Sequence, residues 1–233
     1  MNPSRPDTSS HYGSTTSVVA RNRVLRNTYL LLAVSMIPTV LGAWIGLVSG
    51  INYALGSSPG LSAILFLAGA FGLMFLIERN KNSSLGVVLL LAFTFFMGLM
   101  LSRLVGFVMG MSNGTQLIMF AFGGTAAVFG VMSSVAATSK RDFSGMQKFL
   151  FIGAVLLILT ALANIFLQIP ALMLTISVLA IGIFSAFLLV DLQRIVNGGE
   201  TNYISATLAV YLSLYNIFSN LLVLLGVVGG NND

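Results

Sequence analysis

The chain has 233 residues, of which 57% are hydrophobic and only 7% are charged, whereas an ordinary soluble domain carries about 25% charged residues. This composition excludes a water-soluble fold and predicts a single multi-pass membrane domain, because an apolar run of about 20 residues crosses a bilayer core. There is no cysteine, so disulfides and thiolate metal sites are excluded. The net charge is +5, but the basic residues are spread over short loops, which gives little support to nucleic-acid binding.

The N-terminal segment, residues 1–23, is polar and rich in serine and threonine. It lacks the early apolar core and the small-residue cleavage site of a secretory signal, so we expect a disordered cytoplasmic tail. The first apolar run starts only after Arg21, Arg23 and Arg26, which favours a retained span over a cleaved peptide. Residues 24–233 are then expected to form the transmembrane domain.

Apolar runs separated by polar residues predict seven transmembrane helices in chain order. They cover residues 25–49, 61–77, 85–108, 117–138, 149–167, 171–190 and 203–228. A six-span alternative would demote the short second run, but that run is uncharged and at about 1.5 Å per residue nearly crosses the core. Between the fifth and sixth runs, Gln168 and Pro170 predict a tight hairpin, because proline starts a helix more readily than it continues one.

Basic residues fall on alternate loops, which predicts the orientation of the bundle. With the N-terminus inside, the cytoplasmic loops carry Arg79, Lys81, Lys140, Arg141, Lys148 and Arg194, and the opposite loops carry no basic residue. The positive-inside rule therefore predicts a cytoplasmic N-terminus and a periplasmic C-terminus. Arg103 is the exception, and its distance from the end of the third span favours snorkelling to the interface over a pore role.

The sequence excludes several chemistries. The only histidine, His11, lies in the polar tail, which rules out a helical H-E-x-x-H zinc site and a membrane-embedded Ser-His dyad. The predicted spans hold one acid, Asp191, at the end of span six, whereas an intramembrane aspartyl protease needs two. All lysines lie in loops, which excludes a retinal Schiff base, and no phosphate-binding glycine loop is present. We expect no enzymatic activity, no cofactor and no metal centre.

Charged residues gather at the predicted inner end of the bundle. They are Glu78 and Arg79 after span two, residues 140–142 after span four, and Asp191 with Arg194 after span six. An acid held among cations at the mouth of a bundle is a candidate ion gate or proton sensor. Salt bridges that fasten helix ends together are the favoured alternative.

The last span carries a row of polar residues. Ser213, Asn216 and Asn220 follow the spacing i, i+3, i+7 and therefore share one helix face. We expect this face to point into the bundle, where it either hydrogen-bonds to other helices or lines a narrow polar path. Asn164 and Gln168 of span five are candidate partners.

Small residues recur at a spacing of four, which allows helix backbones to approach closely in a membrane. The pairs are Gly42 and Gly46, Gly46 and Gly50, Gly106 and Gly110, and Gly123 and Ala127. Packing within one chain is favoured over a dimer interface.

Three runs near the C-terminus resemble the bacterial YccA branch of the Bax inhibitor-one (TMBIM) family. They are DLQRI at 191–195, GGETNYI at 198–204 and SLYNIF at 213–218, with supporting matches at 24–29, 123–126 and 163–168. The resemblance covers essentially the whole chain after the tail. It implies a seven-helix protein of the bacterial inner membrane.

Two functions of different classes follow from this resemblance. Members of the branch bind the ATP-dependent membrane protease FtsH, with its HflK and HflC partners, and restrain proteolysis of membrane substrates. The wider family includes pH-sensitive calcium leak channels, in which aspartates of spans six and seven face one another and a span-two arginine closes the pore. Here Asp191 matches the first aspartate, Ser213 occupies the second position, and either Arg79 or Glu78 matches the arginine.

The broken acid pair favours a protease modulator without catalytic activity of its own over a calcium or cation leak. A disordered cytoplasmic tail can serve as a handle for the protease motor, so residues such as Pro3, Ser9 and Thr16 are candidates for engaging it. An idle terminus is the equally supported alternative.

Overall fold

The computed structural model describes residues 9–229, and these residues form an all-helical bundle. The helices are α1 (Ser9–Val48), α2 (Ile51–Ser57), α3 (Pro59–Asn80), α4 (Ser84–Met109), α5 (Gly114–Thr138), α6 (Gln147–Leu167), α7 (Pro170–Val196) and α8 (Tyr203–Gly229). A short 3-10 turn, Ser144–Met146, precedes α6. Within the described residues, seven helices are long and apolar enough to cross a membrane, all but α2. The prediction of seven spans is confirmed, and the second run is a full helix.

Helix α1 begins earlier than the sequence predicts. It starts at Ser9, so its first part covers residues 9–23, where the sequence predicts a disordered tail. No proline lies between Ser9 and Pro38, and extending a formed helix costs far less than nucleating one. The predicted tail residues Ser9 and Thr16 therefore have a helical backbone, whereas Pro3 lies outside the described residues.

The hairpin between α6 and α7 has the predicted form. Gln168 ends α6 in the left-handed conformation, with φ 54°, and its N–H donates to the Asn164 carbonyl at 2.8 Å. Pro170 occupies the first turn of α7, where its missing N–H costs no helical hydrogen bond.

Glycines bring α1 and α4 into close contact. The α-carbon of Gly98 lies against the Thr39 carbonyl, and that of Gly42 lies against the Phe95 carbonyl, so closely that a Cβ at either position would collide with backbone. The Gly42–Gly46 pair thus packs within the chain, as predicted. Gly123 and Ala127 differ, because both are exposed and a Cβ at Gly123 would meet nothing within 4 Å.

The apolar core is centred on α8 and reaches α1, α3, α4, α5 and α7. Tyr211 is its largest buried side chain. The Tyr211 hydroxyl shares a hydrogen bond of 2.9 Å with Thr39, and its ring packs edge-on against Phe93 with centroids 6.0 Å apart. The α1–α4 pair is thereby fixed to α8.

Loops that carry charged residues meet at one end of the bundle. The Asn202 amide donates to the Lys81 carbonyl at 2.9 Å, and the Gln193 amide donates to the Arg141 carbonyl at 2.6 Å. The loops 81–83, 139–143 and 197–202 therefore lie together, and we call this the basic end.

Candidate functional site

A cavity of about 460 Å³ lies between α3, α6, α7 and α8. Its wall is mostly apolar and includes Phe66, Met74 and Phe184. The polar side chains on the wall are Asp191, Ser213, Asn216 and Asn220. The volume falls within the range of about 300–1,000 Å³ that is typical of small-molecule sites. We call it the lateral cavity.

The polar row of α8 lies on this wall, together with Asp191 of α7. The side-chain amides of Asn216 and Asn220 donate to carbonyls one turn back on α8, those of Leu212 at 2.9 Å and Asn216 at 2.8 Å. Their donors are thus engaged by their own helix and do not form the interhelical hydrogen bonds that were one of the two expected roles. The row forms a polar strip along an apolar chamber.

Asn164 does not belong to this row, which corrects the expected interior face. Its side-chain oxygen accepts from the Ile169 N–H at 3.0 Å, and its nitrogen donates to the Ile169 carbonyl at 3.2 Å. Gln168 is exposed in the same hairpin. The hairpin has backbone groups that need partners, and Asn164 supplies them locally.

Asp191 is the only charged side chain on the described wall of the lateral cavity, and it is partly buried. Among the described residues, no hydrogen bond or ion pair within 4 Å engages its carboxylate. Arg194, one turn further along α7, instead turns towards the following loop, with 3.6 Å between its guanidinium and Glu200 and 3.4 Å between its Nε and the Gly199 carbonyl. A partly buried acid without a close partner is costly and marks a candidate functional residue.

Glu78 and Arg79 lie away from the lateral cavity. Both are exposed at the end of α3, and Glu78 forms an ion pair of 2.9 Å with Lys81. This hydrogen bond and the negative charge of Glu78 raise the pKa of Lys81 above its ordinary value of 10.5. The predicted inner cluster is therefore divided, with Asp191 in the cavity and the α3 pair on the surface, where ion pairs contribute little.

Gln193 is a structural residue that the sequence did not single out. It is buried, and its side chain bridges two backbone groups of the α5–α6 loop, accepting from the Phe143 N–H at 2.9 Å and donating to the Arg141 carbonyl. The available signal was an amide between Asp191 and Arg194 near the end of an apolar span. This clamp fixes the loop that leads into α6.

Asp142 organises the same loop before α6. Its carboxylate accepts from the Ser144 N–H and from the Ser144 hydroxyl, each at 2.9 Å. These hydrogen bonds, that of the backbone N–H first, lower the pKa of Asp142 below its ordinary value of 3.8. Asp142 thus starts the turn that precedes α6.

The run at 198–202 ends one helix and starts the next. Gly198 has φ +77°, and the N–H groups of Gly198 and Gly199 donate to the carbonyls of Ile195 and Arg194, which is the Schellman arrangement that ends a helix. The Asn202 side-chain oxygen then accepts from the Ile204 and Ser205 N–H groups and so caps α8. The run at 198–202, which is part of the family resemblance, thus serves to end α7 and to cap α8.

Within residues 9–229, no group of three or more His, Cys, Asp or Glu side chains is placed to hold a metal ion. Asp191 is accompanied on the cavity wall by the neutral Ser213. Two carboxylates that share a proton make a pH switch. The described wall of this cavity carries only one carboxylate, that of Asp191.

Comparisons with known proteins agree with this architecture. Residues 21–230 match the family described as inhibitor of apoptosis-promoting Bax1. The chain is 41% identical to the Escherichia coli K12 protein called modulator of FtsH protease YccA, over 91% of this chain and 93% of the relative. It is 41% identical to a Vibrio cholerae membrane protein, over 91% and 92%, and 38% identical to a Neisseria meningitidis serogroup A protein, over 95% and 98%.

A YccA sequence from another E. coli strain, 41% identical, carries the name inner membrane protein. These matches confirm the resemblance seen in the C-terminal runs. The chain belongs to the Bax inhibitor-one family, in the branch that contains YccA, and is a multi-pass protein of the inner membrane.

Proposed function

We propose that this protein binds the membrane protease FtsH and restrains its action on membrane substrates, without catalytic activity of its own. The observation that carries the proposal is the 41% identity, over nine-tenths of both chains, to a relative named for modulating that protease. HflK and HflC join the proposed complex within the lipid bilayer. The N-terminus and the basic end face the cytoplasm, where the basic loops agree with the positive-inside rule.

The tight α1–α4 contact supports a mechanism of slow extraction. A motor that pulls on the N-terminal residues pulls on α1 first, and α1 is held to α4 where Gly98 meets Thr39 and Gly42 meets Phe95. Separating the two helices exposes backbone surfaces that only such close packing covers. The protease would then be occupied by a body that it unfolds slowly.

Co-purification from native membranes tests the binding step. Solubilised membranes that contain tagged protein should yield FtsH, together with HflK and HflC, at a constant ratio to the bait. A seven-helix membrane protein of unrelated sequence, tagged and expressed at the same level, is the control. If FtsH does not co-purify with the tagged protein in any detergent that preserves the FtsH–HflK complex, the proposal is contradicted.

Deleting residues 3–16 tests whether the N-terminal segment is the handle on which the protease motor pulls. The half-life of an established FtsH membrane substrate should shorten towards that of cells lacking this protein, and the turnover of the truncated protein should slow. A full-length variant with residues 3–16 in scrambled order is the control. If neither half-life changes, the tail is not the handle.

A cation leak is the second candidate, favoured by the position of Asp191 on the lateral cavity with the polar row of α8. The apolar character of the remaining wall and the serine at 213 weigh against it. Liposomes that contain the protein and a calcium dye should show a pH-dependent flux that Asp191→Asn alters. A lack of flux from pH 5 to pH 8 in folded protein excludes this function.

A further inference from the structure

We propose that the lateral cavity binds a single-chain amphiphile with an ammonium head, taken up from the bilayer, with the head against Asp191 and the alkyl chain along the groove. This site is separate from protease binding. The proposal rests on the shape of the cavity, on its wall, on the state of Asp191 and on the side from which the cavity is accessible.

The cavity is small and elongated along α7. On α7 its lining extends from Ile176 to Asp191, fifteen helical steps that rise about 22 Å along the helix axis. On α3 and α6 the lining covers shorter stretches, 66–74 and 154–161. The volume of about 460 Å³ lies at the lower end of the range for small-molecule sites, which favours one alkyl chain over the two chains of a phospholipid.

The wall matches an amphiphile. Apolar side chains of all four helices line most of the groove, which favours burial of an alkyl chain at about 0.8 kcal/mol per methylene. Asp191 lies towards the basic end, five residues before the end of α7, and Ile176 lies deeper in the span. A bound amphiphile would thus place its head near the membrane interface and its tail towards the bilayer centre, as it does in lipid.

The carboxyl group of Asp191 favours a cationic head, because a positive charge beside it stabilises its ionised form. The one cation that follows it on α7, Arg194, is directed to Glu200 and the Gly199 carbonyl. Arg194 thus pairs with Glu200, and the Asp191 carboxylate has no counter-ion within 4 Å among the described residues. An ammonium group, protonated at neutral pH with a pKa of about 10.4, would supply one in a site of low dielectric constant, where the attraction is strong.

Access from the bilayer is open on the side of α3 and α6. These helices touch each other little, and residues from both that line the cavity are also exposed on the outer surface, such as Phe71 at 57% and Ile158 at 38%. An amphiphile dissolved in the membrane can enter between them without crossing water. The rest of the wall is closed by α7 and α8.

Binding of dodecylamine to the full-length protein in phosphatidylcholine nanodiscs tests the proposal. We expect saturable binding of one molecule per protein, at least tenfold tighter than binding of dodecanol, with no measurable binding of dodecanoate. Asp191→Asn should reduce dodecylamine affinity to the level of dodecanol, whereas Asp142→Asn, which removes an acid outside the cavity, should leave it unchanged. Equal affinities for amine and alcohol, or an unaltered Asp191→Asn variant, would overturn the proposal.

A second pair of variants keeps the test decisive if Asp191→Asn does not fold. Ala161 lies on the exposed edge of the cavity and Ala163 is exposed on the same helix outside the lining. Ala161→Phe should obstruct the groove and abolish dodecylamine binding, and Ala163→Phe should not. If adding phosphatidylethanolamine to the nanodisc displaces the amine, the occupant is a two-chain lipid and the single-chain assignment is wrong.

Discussion

The two sides of the bundle are packed in different ways. On one side, α1 and α4 meet through glycines whose α-carbons lie against the carbonyls of the facing helix. On the other side, α3 and α6 barely touch, and the lateral cavity lies behind them. The difference separates two roles within one apolar body: the first side resists being pulled apart, and the second leaves room for a molecule from the membrane. Adding volume to each side should therefore have opposite effects.

The largest expected effect comes from adding one methyl group to the tight side. In Gly98→Ala the new Cβ collides with the Thr39 carbonyl, so α1 and α4 must separate, at a cost of about 3 kcal/mol in the free energy of unfolding. Gly72→Ala is the matched control, because a Cβ there meets nothing within 4 Å, and it should be close to neutral. Equilibrium unfolding in mixed micelles measures both.

The same pair of variants examines the extraction mechanism. If α1–α4 packing slows the protease, Gly98→Ala should shorten the cellular half-life of this protein in cells that contain FtsH and not in cells that lack it. An equal loss of stability in Gly98→Ala and Gly72→Ala would show that the glycine contact has no special role.

A second effect concerns the Gln193 side chain, which holds the loop before α6 on the side of the bundle that contains the lateral cavity. We call this the looser side. Gln193→Leu leaves the Phe143 N–H and the Arg141 carbonyl without their partner, which should cost about 2 kcal/mol. Hydrogen exchange should report faster opening of the Phe143 amide and of the first turn of α6, with α1 and α4 unchanged. Gln147→Leu is the control, since Gln147 is exposed. Uniform loosening of every helix would contradict a local clamp.

Filling the lateral cavity should stabilise the protein slightly. Ala154 of α6 lines the cavity, and Ala154→Leu should add about 1 kcal/mol to the free energy of unfolding by occupying empty volume. Ala163→Leu makes the same change at an exposed position outside the lining and should be neutral. A destabilisation by Ala154→Leu as large as that of Gly98→Ala would mean that the two sides do not differ in packing.

The sequence predicted the helices better than their contacts. Apolar length fixes a span, and proline at 170 fixes a turn, because both effects act within a few residues. The face that a helix presents to its neighbours depends on all the others, so Gly42 and Gly123, in similar small-residue patterns, differ: the first contacts backbone and the second is exposed. The start of α1 at Ser9 was missed for a related reason, since polar residues can extend a helix that apolar residues have nucleated.

The candidate site was predicted in part. Asp191 and the row at Ser213, Asn216 and Asn220 line one cavity, and helical spacing was sufficient to group the row. Asn164 was misplaced because an amide near a turn satisfies local backbone as readily as a distant helix. Gln193 was missed because its role depends on hydrogen bonds to a loop about fifty residues earlier in the chain. No local sequence pattern reveals such a contact.

The smallest expected effect is a pH dependence at the turn before α6. The folded-state pKa of Asp142 lies below 3.8, because the ionised carboxylate accepts two hydrogen bonds from Ser144. A group with a lowered pKa stabilises the fold above its unfolded pKa and loses this contribution as the pH falls through the folded value. The turn should therefore be intact at pH 7 and should weaken only below about pH 3.8.

Carbon-13 NMR of the Asp142 carboxyl in micelles measures this titration, whose midpoint should lie below 3.8. In Ser144→Ala the midpoint should rise only part of the way, because the backbone N–H at 144 still donates. Below this midpoint, hydrogen exchange at the start of α6 should accelerate before any change in α1 or α4, since the turn supports the looser side alone. A midpoint at or above 3.8 would show that the ionised Asp142 carboxylate does not stabilise the turn before α6.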